Sequence, residues 1–248
     1  MMQKILITVA AFLISWSAIA QISQDAEVRK VIVNNDAAAL EQMLADGLDI
    51  NAYNKQGDSL VYYALKNDCS AQILKILVDG GADVNAPSAV SGETPLVYAV
   101  AAAEHIQAEA KHILENELTP QERLAMEEDF KKAAVAEMKR AAKIVELLID
   151  LGADVNQETP FGTPLMRASS NSWNTQIVGI LLKSGADVNQ ADQNGRTALF
   201  YSETYGCVDI SMQLIAAGAD VYHRDVNGKT YVEIERKEMS SDEIIHDM

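Results

Sequence analysis

Three side chains with metal-ligating chemistry stand close together: His105, Glu109 and His112, at positions i, i+4 and i+7. In a helix that spacing puts them on one face, and the ligand types are compatible with zinc. The same spacing is equally that of an ordinary solvent-facing helix stripe, so the sequence gives a metal site only as a minor alternative. No other arrangement suggests catalysis. The chain has no G-x-S-x-G elbow, no H-E-x-x-H, no phosphate-binding loop and no dinucleotide fingerprint. It therefore reads as a non-enzyme with no cofactor. Two cysteines, Cys69 and Cys207, complete the inventory of reactive groups.

The elements that position these residues follow from a repeated phrase. Gly47-Leu48-Asp49-Ile50-Asn51 recurs as Gly81-Ala82-Asp83-Val84-Asn85, Gly152-Ala153-Asp154-Val155-Asn156 and Gly185-Ala186-Asp187-Val188-Asn189. A fifth copy, Gly218-Ala219-Asp220-Val221-Tyr222, closes the series, and the glycines are 34, 71, 33 and 33 residues apart. A second phrase runs in phase with the first. It reads Gly57-Asp58-Ser59-Leu60, Gly92-Glu93-Thr94-Pro95-Leu96, Gly162-Thr163-Pro164-Leu165 and Gly195-Arg196-Thr197-Ala198-Leu199. Thr-Pro places a capping hydroxyl ahead of a proline at the first helical position, where no N–H is needed. Apolar residues three and four positions on give a short helix one buried face. A second helix follows, as in Ile73-Leu74 to Leu77 and Ile177-Val178 to Leu182. The glycine after it suits a left-handed helix terminus, and the Asp and Asn beyond turn the chain into a finger.

Two phrases in phase at a period of about 33 resemble the ankyrin repeat. The histidine of that family's T-P-L-H-x-A phrase is absent, its place taken by Tyr62, Val97, Met166 and Phe200. The resemblance covers roughly residues 24 to 248. It implies an all-α ankyrin-repeat solenoid with short hairpin fingers, whose helix pairs bury their apolar faces on their neighbours. Repeats are expected at about 24–53, 54–86, 87–157, 158–190 and 191–223. Residues 25–34 are expected as an N-terminal cap and 224–248 as a C-terminal one.

The 71-residue interval exceeds a period, and one repeat with two elongated helices accounts for it. Thr119-Pro120-Gln121-Glu122 has capping-box spacing, and a helical pattern runs from there to about Ile149. The inserted helical hairpin, about 103–138, would project a spur of roughly 25 Å. Its charged surface is either a solvated face or a second contact surface or dimer element.

The resemblance places partner contacts on the fingers and on the exposed edge of each first helix. Mapped by repeat position, that surface comprises Tyr53, Lys55, Gln56, Asp58, Lys66, Asn67, Glu93, Phe161, Asn171, Gln193, Asn194, Arg196 and Tyr205. Tyr53, Phe161 and Tyr205 are the expected aromatic anchors, since interface hot spots favour large rigid side chains. The two cysteines fall at equivalent places in repeats three apart. At about 10 Å per helix layer they stand about 30 Å from one another, beyond the roughly 7 Å a bridge tolerates. No intramolecular disulfide is predicted.

Composition narrows the partner. The 248 residues include 36 acidic and 20 basic side chains, for a formal charge of −16. Nucleic acid and anionic membrane are disfavoured, because both need a basic surface. A basic protein would be steered in by such a field, although acidity also serves solubility alone. Residues 1–20 read as a signal peptide: Lys4, an apolar run from Ile5 to Trp16, then Ser17-Ala18-Ile19-Ala20. Cleavage is expected between Ala20 and Gln21, giving a domain of residues 21–248 in the periplasm or outside the cell. The expected function is an exported protein–protein interaction module, as an adaptor or partner-stabilising subunit. An inhibitor or immunity protein against a secreted toxic enzyme is one alternative. A metal-binding protein or enzyme using the helical insertion is the other.

Overall fold

The computed structural model describes residues 25–101 and 120–230. The expected signal peptide, His105, Glu109, His112, the 103–119 part of the expected insertion and the 231–248 part of the expected C-terminal cap lie outside those residues. Helices and turns make up the described chain, with no strand and one isolated bridge between Thr159 and Gly162. The fingers are therefore tight turns, not paired strands. The chain divides into two compact units, Met1–Ser91 and Gly92–Met248.

The first unit holds α1 (residues 25–33), α2 (Ala37–Ala45), α3 (Leu60–Lys66) and α4 (Ala71–Asp79). The expected N-terminal cap is thus the first helix of a pair. Asp36 ends one helix and begins the next: its N–H donates to the Val31 carbonyl at 3.0 Å, while its carboxylate accepts from Ala39 N at 3.0 Å. Ser59 caps α3 through Tyr62 N, and Ser70 caps α4 through Ile73 N. Val28, Ile32, Leu40, Val61, Ile73, Leu74 and Leu77 are buried. Each large aliphatic side chain so removed from water contributes about 1.5–3 kcal/mol, which is what holds such short helices in place.

The second unit begins with α5, described over residues 95–101, where Thr94 Oγ1 accepts from Val97 N at 3.3 Å. Next comes α6 (Pro120–Asp150), a 31-residue helix that starts at the expected proline. At 1.5 Å per residue it is about 46 Å long. Ala141, Ala142, Val145 and Leu148 are buried on it, whereas Lys132, Val135, Lys139 and Arg140 are exposed. The side chains described as buried on it thus lie in its last three turns. Then follow α7 (Pro164–Ser169), a 3₁₀ turn (Ser172–Asn174), α8 (Thr175–Lys183), α9 (Ala198–Thr204) and α10 (Val208–Ala216). Thr163 caps α7 through Met166 N, ahead of Pro164. α7 packs on α8 and α9, α8 on α6 and α10, and α9 on α10.

The Gly-x-Asp-x-Asn phrase has a structural job at every position. Gly47, Gly81, Gly152, Gly185 and Gly218 all have φ between 91° and 99° or just below, at 90° for Gly185. The next residue donates its N–H five positions back, as Ala186 does to Leu181 at 3.0 Å, the Schellman closure of a helix. The Asp carboxylate then accepts from the backbone two residues on; Asp187 takes Asn189 N at 2.9 Å.

The Asn reaches into the following repeat. Asn156 Nδ2 donates to the Gly185 carbonyl at 3.1 Å, and its Oδ1 accepts from Asp187 N at 2.7 Å. Asn189 does the same to Gly218 and Asp220, and Asn51 to Gly81 and Asp83. One side chain thereby fixes the register of two repeats through the orphan groups at a helix end. Tyr222 holds the fifth position and is exposed, so the clamp series stops there.

Both cysteines are buried and free. Each sits in the turn between two helices, its N–H closing the first: Cys69 on Ala64 and Cys207 on Ser202. Burial, and then the charge of Glu203, push the Cys207 thiol up.

Candidate functional site

Each finger is a turn organised by one polar side chain. Asn54 Oδ1 accepts from Gln56 N and Asp58 N at 2.8 and 2.9 Å. Asp192 Oδ1 repeats this with Asn194 N and Arg196 N, both at 2.8 Å. Asp225 does so with Asn227 N and Lys229 N, both at 2.9 Å. Ser88 and Thr159 serve their fingers through hydroxyl oxygens. Such Asx and hydroxyl turns satisfy the backbone locally, leaving the tips set before any partner arrives.

In the first unit, Tyr53 is 47% exposed and Lys55 and Gln56 are exposed. Gln56 Oε1 accepts from Arg29 at 3.3 Å. Asp58 corrects the expectation of a surface contact. It is buried at 3% exposure, and its carboxylate faces Lys66 Nζ at 3.5 Å. Turning into the cap of α3, it holds Lys66 and is withdrawn from solvent. Asn67 ends α3, its amide donating to Tyr63 O at 2.8 Å.

In the second unit, Phe161 is 47% and Tyr205 61% exposed. Gln193 and Asn194 stand exposed on their finger, while Glu93, Asn171 and Arg196 are half-buried. Asn171 caps the 3₁₀ turn through Trp173 N at 3.0 Å, a structural task.

Around the expected Gln193 and Asn194 the structure also gathers residues the sequence reading left out. A cavity of about 480 Å³ lies between the 159–162 and 192–196 fingers. Glu158, Pro160, Asp192, Gln193, Asn194 and Tyr201 line it. The Tyr201 hydroxyl donates to Asp192 Oδ2 at 2.7 Å, so both carboxylate oxygens are engaged. Burial works to raise the Asp192 carboxyl. The N–H donors of Arg196 and Asn194, with the Tyr201 hydroxyl, outweigh it and hold the group below the usual carboxylate value. Burial, together with Asp192 as acceptor and charge, pushes Tyr201 up to about 12. Tyr201 is therefore a fixed neutral donor, not a nucleophile. Arg196 lies over the Phe200 ring, Cζ 5.3 Å from its centroid, a cation–π contact.

Asp192 could have been found by its 33-residue spacing to Asp225. Tyr201 recurs in register with Tyr63 and Tyr98, each four residues after its cap position, but the phrase does not say which group its hydroxyl reaches. Among the described residues, no group of three or more His, Cys, Asp or Glu could hold a metal. No described helix is long and apolar enough to cross a membrane.

A family model described as ankyrin repeats (three copies) matches residues 29–119 and 133–225. No curated protein matches the sequence.

Proposed function

Since the chain belongs to the ankyrin-repeat family, a family of protein–protein interaction modules, we propose that it is an exported adaptor that holds a partner protein on its fingers. The finger row of the second unit carries this reading. Phe161, Gln193 and Asn194 project from turns already pinned by Thr159 and Asp192. A preset surface loses little conformational freedom on binding, and an exposed aromatic beside polar amides is the composition of an interface anchor. Export rests on residues 1–20, whose charged start, apolar run and small-residue end have the form of a cleavable signal. The formal charge of −16 favours a basic partner through steering.

The purified protein, used as bait in a periplasmic extract, should retain a specific partner. Recovery should fall at least about tenfold with Phe161→Ala, the loss expected of a hot-spot side chain. No specific partner, or equal recovery with Phe161→Ala, Tyr205→Ala and Tyr53→Ala, would sink the finger reading.

A further inference from the structure

We infer that the cavity between the 159–162 and 192–196 fingers takes a lysine or arginine side chain from a basic segment of the partner, with an apolar neighbour resting on Pro160 and Phe161. The inference rests on the protein-binding reading and names the chemistry of that same surface.

The cavity, about 480 Å³, falls within the size range of clefts that enclose a small ligand, roughly 300–1,000 Å³. That is ample for a long side chain. Two carboxylates line it, Glu158 and Asp192, and no lysine or arginine does. Glu158 is exposed and makes no hydrogen bond or ion pair among the described residues, so its charge is free to meet a cation. Asp192 is held rigidly by its two backbone donors and Tyr201. Oδ1 is filled by its two N–H donors, whereas Oδ2 takes the Tyr201 hydroxyl and retains acceptor capacity at a fixed place. The amide oxygens of Gln193 and Asn194 add neutral acceptors at the rim. Arg196 is not among the lining residues; its guanidinium lies over Phe200 and also acts on the Tyr201 hydroxyl at the cavity's edge. An ammonium or guanidinium, with three or five donors and no acceptor, matches this lining; a carboxylate would meet two like charges. Beside the cavity, Pro160 and half-exposed Phe161 offer an apolar shelf for the residue next to the cation.

The protein itself supplies a control. Asn54 occupies the Asp192 position in its own finger and accepts the same two backbone N–H groups. Asp192→Asn should therefore keep the turn while removing the charge and the oxygen that accepts the Tyr201 hydroxyl.

A random peptide library displayed on phage and selected on the purified protein tests the inference. Enriched peptides should carry lysine or arginine beside an apolar residue. Their affinity, read by fluorescence anisotropy, should fall at least about tenfold on Glu158→Gln/Asp192→Asn, with the protein still folded and its melting temperature only slightly lowered. If the pair unfolds, Glu158→Gln alone, on an exposed side chain, should still weaken binding about threefold or more. Enriched peptides that lack basic residues, or no enrichment, overturn the proposal. Peptides that respond to Phe161→Ala but not to the charge changes sink the cation pocket and leave the finger reading standing. Peptides insensitive to all of these sink both.

Discussion

The asparagine that ends each Gly-x-Asp-x-Asn phrase shows how one side chain can set register. Asn156 supplies a donor to Gly185 and an acceptor to Asp187. At about 0.5–1.5 kcal/mol net per hydrogen bond, Asn156→Ala should destabilise by about 1–2 kcal/mol. Thermal unfolding would show it as a fall of about 3–6 °C; an unchanged midpoint would mean water replaces the clamp at no cost. Asn174 presents the opposite case. It is 1% exposed, and both atoms of its amide lack a hydrogen-bond partner. An apolar side chain of similar shape removes that burden, so Asn174→Leu should raise the melting temperature, not lower it.

The Asp192–Tyr201 pair makes stability depend on pH at both ends. The carboxyls of Asp192 and Asp225 lie below their ordinary value; backbone donation from Lys229 is the main cause for Asp225. Their contribution is complete above about pH 4 and is lost as pH falls through the lowered folded values. Tyr201, raised to about 12, contributes fully below the unfolded value of roughly 10 and loses that contribution as pH rises to about 12. Urea midpoints should decline between about pH 10 and 12, and Tyr201→Phe should flatten that limb.

At the scale of elements, helix ends do most of the specifying. Gly185 has φ of 90°, and a β-carbon there would meet nothing within 4 Å. The cost of Gly185→Ala is therefore purely conformational, about 1–2 kcal/mol, measurable as a lower urea midpoint. The inter-helix turns bury their cysteines in the same way. Both thiols should react slowly in the native protein, and alkylation of the denatured, unreduced chain should label both. Blocked thiols would mean that an intermolecular bridge forms. In α6, packing and length part company. The helix runs on from Pro120, yet the buried residues described on it start only at Ala141.

For the molecule as a whole, the sequence alone determined the repeat family, the helix pairs of the described residues and the turn glycines, because those depend on interactions within about a dozen residues. The start of α6 was legible from Thr119-Pro120 and the apolar spacing after it. Tyr53, Phe161 and Tyr205 stand exposed, at finger and helix-end positions that the repeat phase sets. Only the tertiary structure decided the rest. Asp58 turned inward to Lys66, since a short acidic side chain beside a helix start can face either the cap or the solvent. The asparagine clamps, Asn156 on Gly185 among them, join residues about thirty apart. The Asp192–Tyr201 contact joins a finger to a helix face. Such relations depend on how the chain stacks back on itself, and a linear pattern carries the period of that stacking without the atoms it brings into reach.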